Sequence, residues 1–178
     1  SELSLNALKH TTADPARQSR LRSALMVVGA SLFLLCVTGA VFHELATQPE
    51  GLLVGVHANG RNDLTLQFLR FRDTPAELAE QTGNLQIGWD RHLGLGMPVH
   101  GNPQMALFYP PNWLCFALGA RSTISWLLVG HMFFAGLGTW GLARSARLSA
   151  VSCLFAGSVA VAAPYCVAHL AEGHVAQI

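Results

Sequence analysis

SALMVVGASLFLLCVTGAVFHELA, from Ser23 to Ala46, carries no charge until Glu44. At about 1.5 Å per residue it is long enough to cross a hydrocarbon core of about 30 Å. Two further stretches have the same reach and no Asp, Glu, Lys or Arg: ISWLLVGHMFFAGLGTWGL at Ile124–Leu142 and AVSCLFAGSVAVAAPYCVAHL at Ala150–Leu170. The composition agrees, since 51% of the chain is hydrophobic and 12% charged, the latter about half the usual share of a soluble domain. The expected fold is an all-α membrane protein with three transmembrane helices, at 23–46, 124–142 and 150–170. Around them lie an N-terminal segment 1–22, a loop 47–123 containing short interfacial helices, a turn 143–149 and an end segment 171–178.

Positive charge in short loops is retained on the cytoplasmic side. Lys9, Arg17, Arg20 and Arg22 precede the first span, and Arg144 and Arg147 fall between the second and third. Both flanks are therefore expected in the cytoplasm, with the loop 47–123 on the outer face of a bacterial inner membrane. In that loop Arg61, Arg70, Arg72, Arg91 and Arg121 face Glu50, Asp63, Asp73, Glu77, Glu80 and Asp90. This near-neutral balance argues against nucleic acid as a partner. Three helices leave most of their side chains to lipid, so membrane lipids and further transmembrane helices or subunits are the expected partners. The start at Ser1 and the stop at Ile178, soon after the third span, fit a bundle completed by more chain or by other subunits. A cleaved signal peptide fits less well, because the first apolar run is too long. Cys36, Cys115, Cys153 and Cys166 stand at no metal-ligand spacing and read as small apolar residues.

Between the spans, Asp14-Pro15 marks a helix start, and Gln48-Pro49-Glu50-Gly51 and Asn59-Gly60-Arg61-Asn62 mark turns. Leu64, Phe68, Phe71 and Leu78 recur at helical intervals, interrupted at Thr74-Pro75, which predicts two short helices along the membrane surface. Trp89–Pro111 reads as irregular, and Asn112–Leu118 as a short apolar helix ending at Gly119. Gly130, Gly136, Gly138, Gly141 and Gly157 allow close helix approach, and Pro164 is expected to kink the third span.

The stretch WDRHLGLGMPVHGNPQMALFYPPNWL, Trp89–Leu114, carries the clearest chemical signal. Asn102, Gln104, Tyr109 and Asn112 set neutral hydrogen-bonding groups beside the apolar surfaces of Trp89, Met105, Phe108 and Trp113. That mixture suits a polar ligand on an apolar tail. Asp63, at the start of a predicted helix, reads either as an N-cap or as an interfacial carboxylate able to take a proton from a hydroxyl. Asp90 reads as a solvated turn residue or a local ion pair. Arg70 and Arg72 can attract phosphate or pair with Asp73 or Glu77. His92 and His100 flank the glycine-rich turn without metal-site spacing. His43, His131 and His169 fall in the outer half of the spans, where ionisable groups face protein or an aqueous cavity. They are also candidate haem or chlorophyll ligands. Glu172 and His174 read as a polar helix end or as the far wall of such a cavity. No cofactor is assigned.

The order of these pieces resembles the N-terminal part of the YfhO-like bacterial membrane proteins, which have the GT-C glycosyltransferase architecture. NDLTLQFLRFR around Asp63, Gly96-Met97-Pro98, Gly101-Asn102-Pro103-Gln104, Phe108-Tyr109-Pro110, and then HMFFAGLGTWGLAR and SVAVAAPYCVAHLAEGH carry the resemblance. It covers Asp63 to the C-terminus and, loosely, the first span. The family form usually has Pro at the place of Arg70, and often Asn-Pro-Tyr where this chain has Asp90-Arg91-His92. The resemblance implies a lipid-linked sugar donor, a polyprenyl phosphate, used at the outer membrane face. Asp63 would be the catalytic base, with Asn102, Gln104, Tyr109, Arg70, His169 and Glu172 toward the substrates. The alternative is a non-catalytic accessory or structural subunit of a larger membrane complex, with or without a pigment or haem.

Overall fold

The computed structural model describes residues 14–49, 67–84, 88–91 and 93–166. Asp63, His92, His169, Glu172 and His174, and the turn at Asn59-Gly60, lie outside the described residues. The described part is mostly helical. Helix α1 spans Pro15–Val41, with Asp14 as its N-cap accepting the Ala16 N–H and Pro15 in the first turn, where its missing N–H has no helical partner to lose. The start signal at Asp14-Pro15 therefore opens the membrane-length helix itself. The helix breaks at Phe42, and a short helix α2, His43–Thr47, follows.

Helix α3 runs Leu69–Thr82 and stops at Gly83, whose φ of 65° is left-handed. The two helices expected either side of Thr74-Pro75 are thus one. Pro75 removes a backbone donor, but Phe71, Thr74 and Pro75 are all buried on one face, and that packing keeps the helix going past the proline. A small antiparallel hairpin follows, β1 (Trp89–Asp90) against β2 (Met97–Pro98), with Asp90 opposite Met97. Gly96 in its turn has φ 108°, and a Cβ there would sit 2.7 Å from the Trp89 indole nitrogen, so only glycine fits. Two 3₁₀ turns, Pro103–Met105 and Pro110–Leu114, carry the chain to helix α4, Cys115–Ser145. Gly119 (φ 75°, ψ 164°) interrupts α4 near its start; the part from Ala120 onward is roughly 39 Å long at 1.5 Å per residue. Helix α5, Ala150–Val161, begins at the Ser149 cap, which accepts the Ser152 N–H.

Two helices, α1 and the Pro110–Ser145 segment containing α4, are long and apolar enough to cross a membrane; the helix starting at Ala150 is shorter. The expectation of three spans is corrected to two among the described residues. Helix α5 ends at Val161 after 12 residues, about 18 Å of rise, ahead of Pro164, which disfavours helical geometry at the residue before it.

The buried side chains form two clusters strung along α4. Phe68, Leu69, Phe71, Val99 and Met105 pack on Ala120 and Ile124, making a lobe of α3 and the loop. Leu34, Phe42, Leu45 and Val161 pack on Leu128 and Met132, joining α1, α2 and α5. Within this second cluster Gly136 and Gly157 face each other, and a Cβ on Gly157 would lie 2.9 Å from the Gly136 carbonyl and 3.0 Å from Leu34. Gly130, Gly138 and Gly141 meet nothing within 4 Å, so close approach belongs to one glycine pair rather than to all five. The remaining apolar surface is outward, with Phe134 68%, Val151 77% and Phe155 70% exposed.

Candidate functional site

The two clusters meet at a cavity of about 160 Å³. Its polar lining is Arg72 from α3, Tyr109 and Asn112 from the loop and His131 from α4, with Ile124 and Leu128 as apolar wall. A four-residue step along α4 separates Leu127 from His131, so the ring Nδ1 reaches back to the Leu127 carbonyl. A carbonyl only accepts, which places a proton on Nδ1, and in the neutral imidazole Nε2 then keeps a lone pair. That lone pair faces the Tyr109 hydroxyl at 2.6 Å. Tyr109 thus donates into a histidine of fixed tautomer, and its oxygen keeps acceptor capacity toward the cavity. The rings lie 5.9 Å apart at 45°.

Arg72 is placed by helical register. It lies one residue from the buried Phe71, and its Nη1 donates to the carbonyls of Gln104 (3.0 Å) and Met105 (2.7 Å). Those bonds pin the 3₁₀ turn Pro103–Met105 onto α3. Burial pushes the guanidinium pKa down from its ordinary value, against an opposing charge effect of Cys115. Among the described residues no carboxylate pairs with it. Asn112 closes the lining by donating Nδ2 to the Ala106 carbonyl at 3.0 Å.

Neighbouring charges are engaged elsewhere. Arg70 pairs with Glu77 at 2.8 Å, the local alternative weighed for it from sequence. Asp73 lies beside the Ala120 backbone N–H, just past the Gly119 break at the start of the long part of α4. Its carboxyl is raised above the ordinary range, first by burial and second by Glu77, against the lowering effects of the Ala120 N–H, Arg70 and Arg121. Asp90, expected in a solvated turn, is fully buried and accepts the Thr74 hydroxyl at 3.2 Å. Pairing of β1 with β2 turns it inward against α3, so it is a structural carboxylate tying the hairpin to the helix.

The other residues singled out in the sequence divide as follows. Asn102 caps the 3₁₀ turn, accepting the Gln104 N–H at 3.0 Å; the Gln104 side chain accepts from Gln67 at 2.8 Å. Both side chains hold the loop together, and of the four neutral polar residues it is Tyr109 and Asn112 that line the cavity. His43 is exposed, and His100 stacks near Phe108 with ring centroids 6.1 Å apart. His100, Leu107, Phe108, Trp113 and Phe116 line a second, apolar hollow of about 320 Å³. A smaller hollow between the two shares Arg72 and Asn112 with the first and Leu107, Trp113 and Phe116 with the second. No three His, Cys, Asp or Glu groups converge as a metal site among the described residues, and all four cysteines are free thiols.

The sequence signal for His131 was its polar side chain inside an apolar run. For Arg72 there was none that told it from Arg70, because two residues of helical offset decide which one turns to the cavity. Comparison with protein families, with curated proteins and with solved structures finds no match to this chain.

Proposed function

We propose that the chain is part of a GT-C-like membrane glycosyltransferase that takes a sugar from a polyprenyl phosphate at the outer face of a bacterial inner membrane, its N-terminus cytoplasmic. The observation that carries this reading is the cavity of Arg72, Tyr109, Asn112 and His131, set where the polar loop lobe meets the long apolar helix α4. A polar head on a lipid tail is the ligand suited to that junction, since its two parts need two different solvents. The resemblance of the Asp63 and Trp89–Leu114 stretches to the YfhO-like proteins supplies the reaction class.

In this reading Asp63 takes the proton of the acceptor hydroxyl as its oxygen bonds to the anomeric carbon. The lipid phosphate leaves with the electron pair of the broken C–O bond. Tyr109 lines the site itself, Asn102 and Gln104 hold the loop that carries it, and His169 and Glu172 are assigned toward the substrates by the resemblance alone. Asp63→Asn in the complete membrane protein is expected to lower sugar transfer by about 10²–10⁴-fold, the usual worth of a general base, with membrane insertion unchanged. Transfer at the unaltered rate would overturn the assignment.

One observation favours a second reading, an accessory subunit without catalysis. Helix α1 buries only Ala30, Leu34 and Thr38, which leaves Leu25, Val28, Leu32 and Leu35 exposed and available to other helices. That reading requires a stoichiometric partner complex on purification and no sugar transfer.

A further inference from the structure

We propose that the cavity at Arg72 is a phosphate seat, in which the guanidinium holds a phosphate monoester as a forked, charge-assisted pair. This deepens the lipid-substrate reading and rests on it only in taking the ligand from the membrane side; it does not depend on any sugar being transferred.

The donor inventory of Arg72 carries the argument. A guanidinium has five N–H donors in a rigid fork and no acceptor. Two are taken by the Gln104 and Met105 carbonyls through Nη1. The donors on Nε and Nη2 have no acceptor among the described residues, and Arg72 lines the cavity. Among the described residues the carboxylates near it are engaged elsewhere: Glu77 with Arg70, Asp73 beside the Ala120 N–H with Arg70 and Arg121 nearby, and Asp90 with Thr74. A desolvated cation with a donor edge unused among the described residues is complemented by an anion of planar or tetrahedral oxygens. Asn112 adds an amide N–H for a remaining phosphate oxygen, and the Tyr109 oxygen, whose proton goes to His131, accepts from a protonated phosphate oxygen. The apolar hollow at Leu107, Phe108, Trp113 and Phe116, linked through shared walls, accepts the first carbons of an attached chain. A lipid phosphate and free phosphate share the chemistry of the seat.

The test is native mass spectrometry of the full chain in neutral detergent with dioleoyl phosphatidic acid, with dioleoylglycerol as the uncharged control. Phosphatidic acid is expected to be retained and diacylglycerol not. Arg72→Gln is expected to weaken retention about tenfold or more, the worth of a charge-assisted hydrogen bond. Arg72→Lys, which keeps the charge without the fork, falls between. Tyr109→Phe leaves the Arg72 bonds to the loop intact and is expected to weaken retention by a smaller factor, which covers the case of an Arg72 variant that does not fold. Displacement by added inorganic phosphate makes the phosphate group alone sufficient. Retention that resists it assigns the seat to the lipid form, and both results support the proposal. Equal retention of the two lipids by the unaltered protein, or unchanged retention by a folded Arg72→Gln, overturns it. Loss of sugar transfer with phosphatidic acid still bound removes the transferase reading alone.

Discussion

Arg70, Arg72 and Asp73 stand within four positions of one helix and meet three different environments. Arg70 makes a half-exposed ion pair with Glu77, worth about 0–1 kcal/mol at most. Arg72 points inward to the loop carbonyls and the cavity. Asp73 reaches across to α4, where its raised pKa makes the sign of its pH effect definite. Between the ordinary carboxylate pKa and the raised one, the folded state binds more protons than the unfolded state, so stability falls as pH rises through that window. The contribution is fully present below the ordinary value and lost above the raised one. Asp73→Asn keeps an acceptor for the Ala120 N–H and removes the charge. It is expected to leave stability at pH 7 unchanged or higher by up to about 1 kcal/mol, about 2–4 °C in melting temperature, and to flatten the fall above pH 4. Thermal melts of both proteins in detergent from pH 4 to 7 check this; a variant that melts well below the parent at pH 7 contradicts the sign.

At the scale of elements, prolines and glycines that look alike to a propensity rule act differently. Pro75 sits inside α3 without ending it, because its flank is buried, whereas α5 stops at Val161 ahead of Pro164. Gly119 takes an extended left-handed conformation that redirects the chain before the long part of α4. Gly136 and Gly157 are needed for a different reason, the closeness of two backbones. A Cβ on Gly136 would lie 2.5 Å from Val161 and 3.1 Å from the Gly157 carbonyl. Gly136→Ala and Gly157→Ala are therefore expected to destabilise by about 1–3 kcal/mol through overpacking. Gly138→Ala meets open space and is expected to gain up to about 1 kcal/mol from helix propensity. Melting temperatures of the three variants in one detergent decide it, and a Gly138 variant as damaged as the other two would remove the packing explanation.

Across the whole molecule, charge and packing define two ends. Arg17, Arg20 and Arg22 start α1, and Arg144 near the end of α4 reaches Met26 of α1 at 3.6 Å. The basic residues that bracket the apolar helices thus gather at one end. At the other, Ser125 donates to the Pro49 carbonyl at 2.7 Å, joining the end of the α1–α2 segment to the loop lobe. With the four native cysteines replaced by serine, His100→Cys and Arg147→Cys are expected to react with a membrane-impermeant maleimide from opposite sides of sealed vesicles. Reaction of both from one side would rule out the transmembrane arrangement.

The apolar runs, the basic flanks and the cap at Asp14-Pro15 were legible from the sequence, because length, charge and local hydrogen bonding act without knowledge of distant neighbours. Tyr109 and Asn112 stood out in the sequence as polar groups in an apolar loop, and both line the cavity. What the sequence could not supply was contact between segments far apart in the chain. Continuation of α3 through Pro75, burial of Asp90 under Thr74, the meeting of Tyr109 with His131 across 22 positions and the choice of Arg72 over Arg70 were decided by tertiary packing. Local propensities differ by a fraction of a kcal/mol to about 3 kcal/mol, and burial of a few large side chains outweighs them.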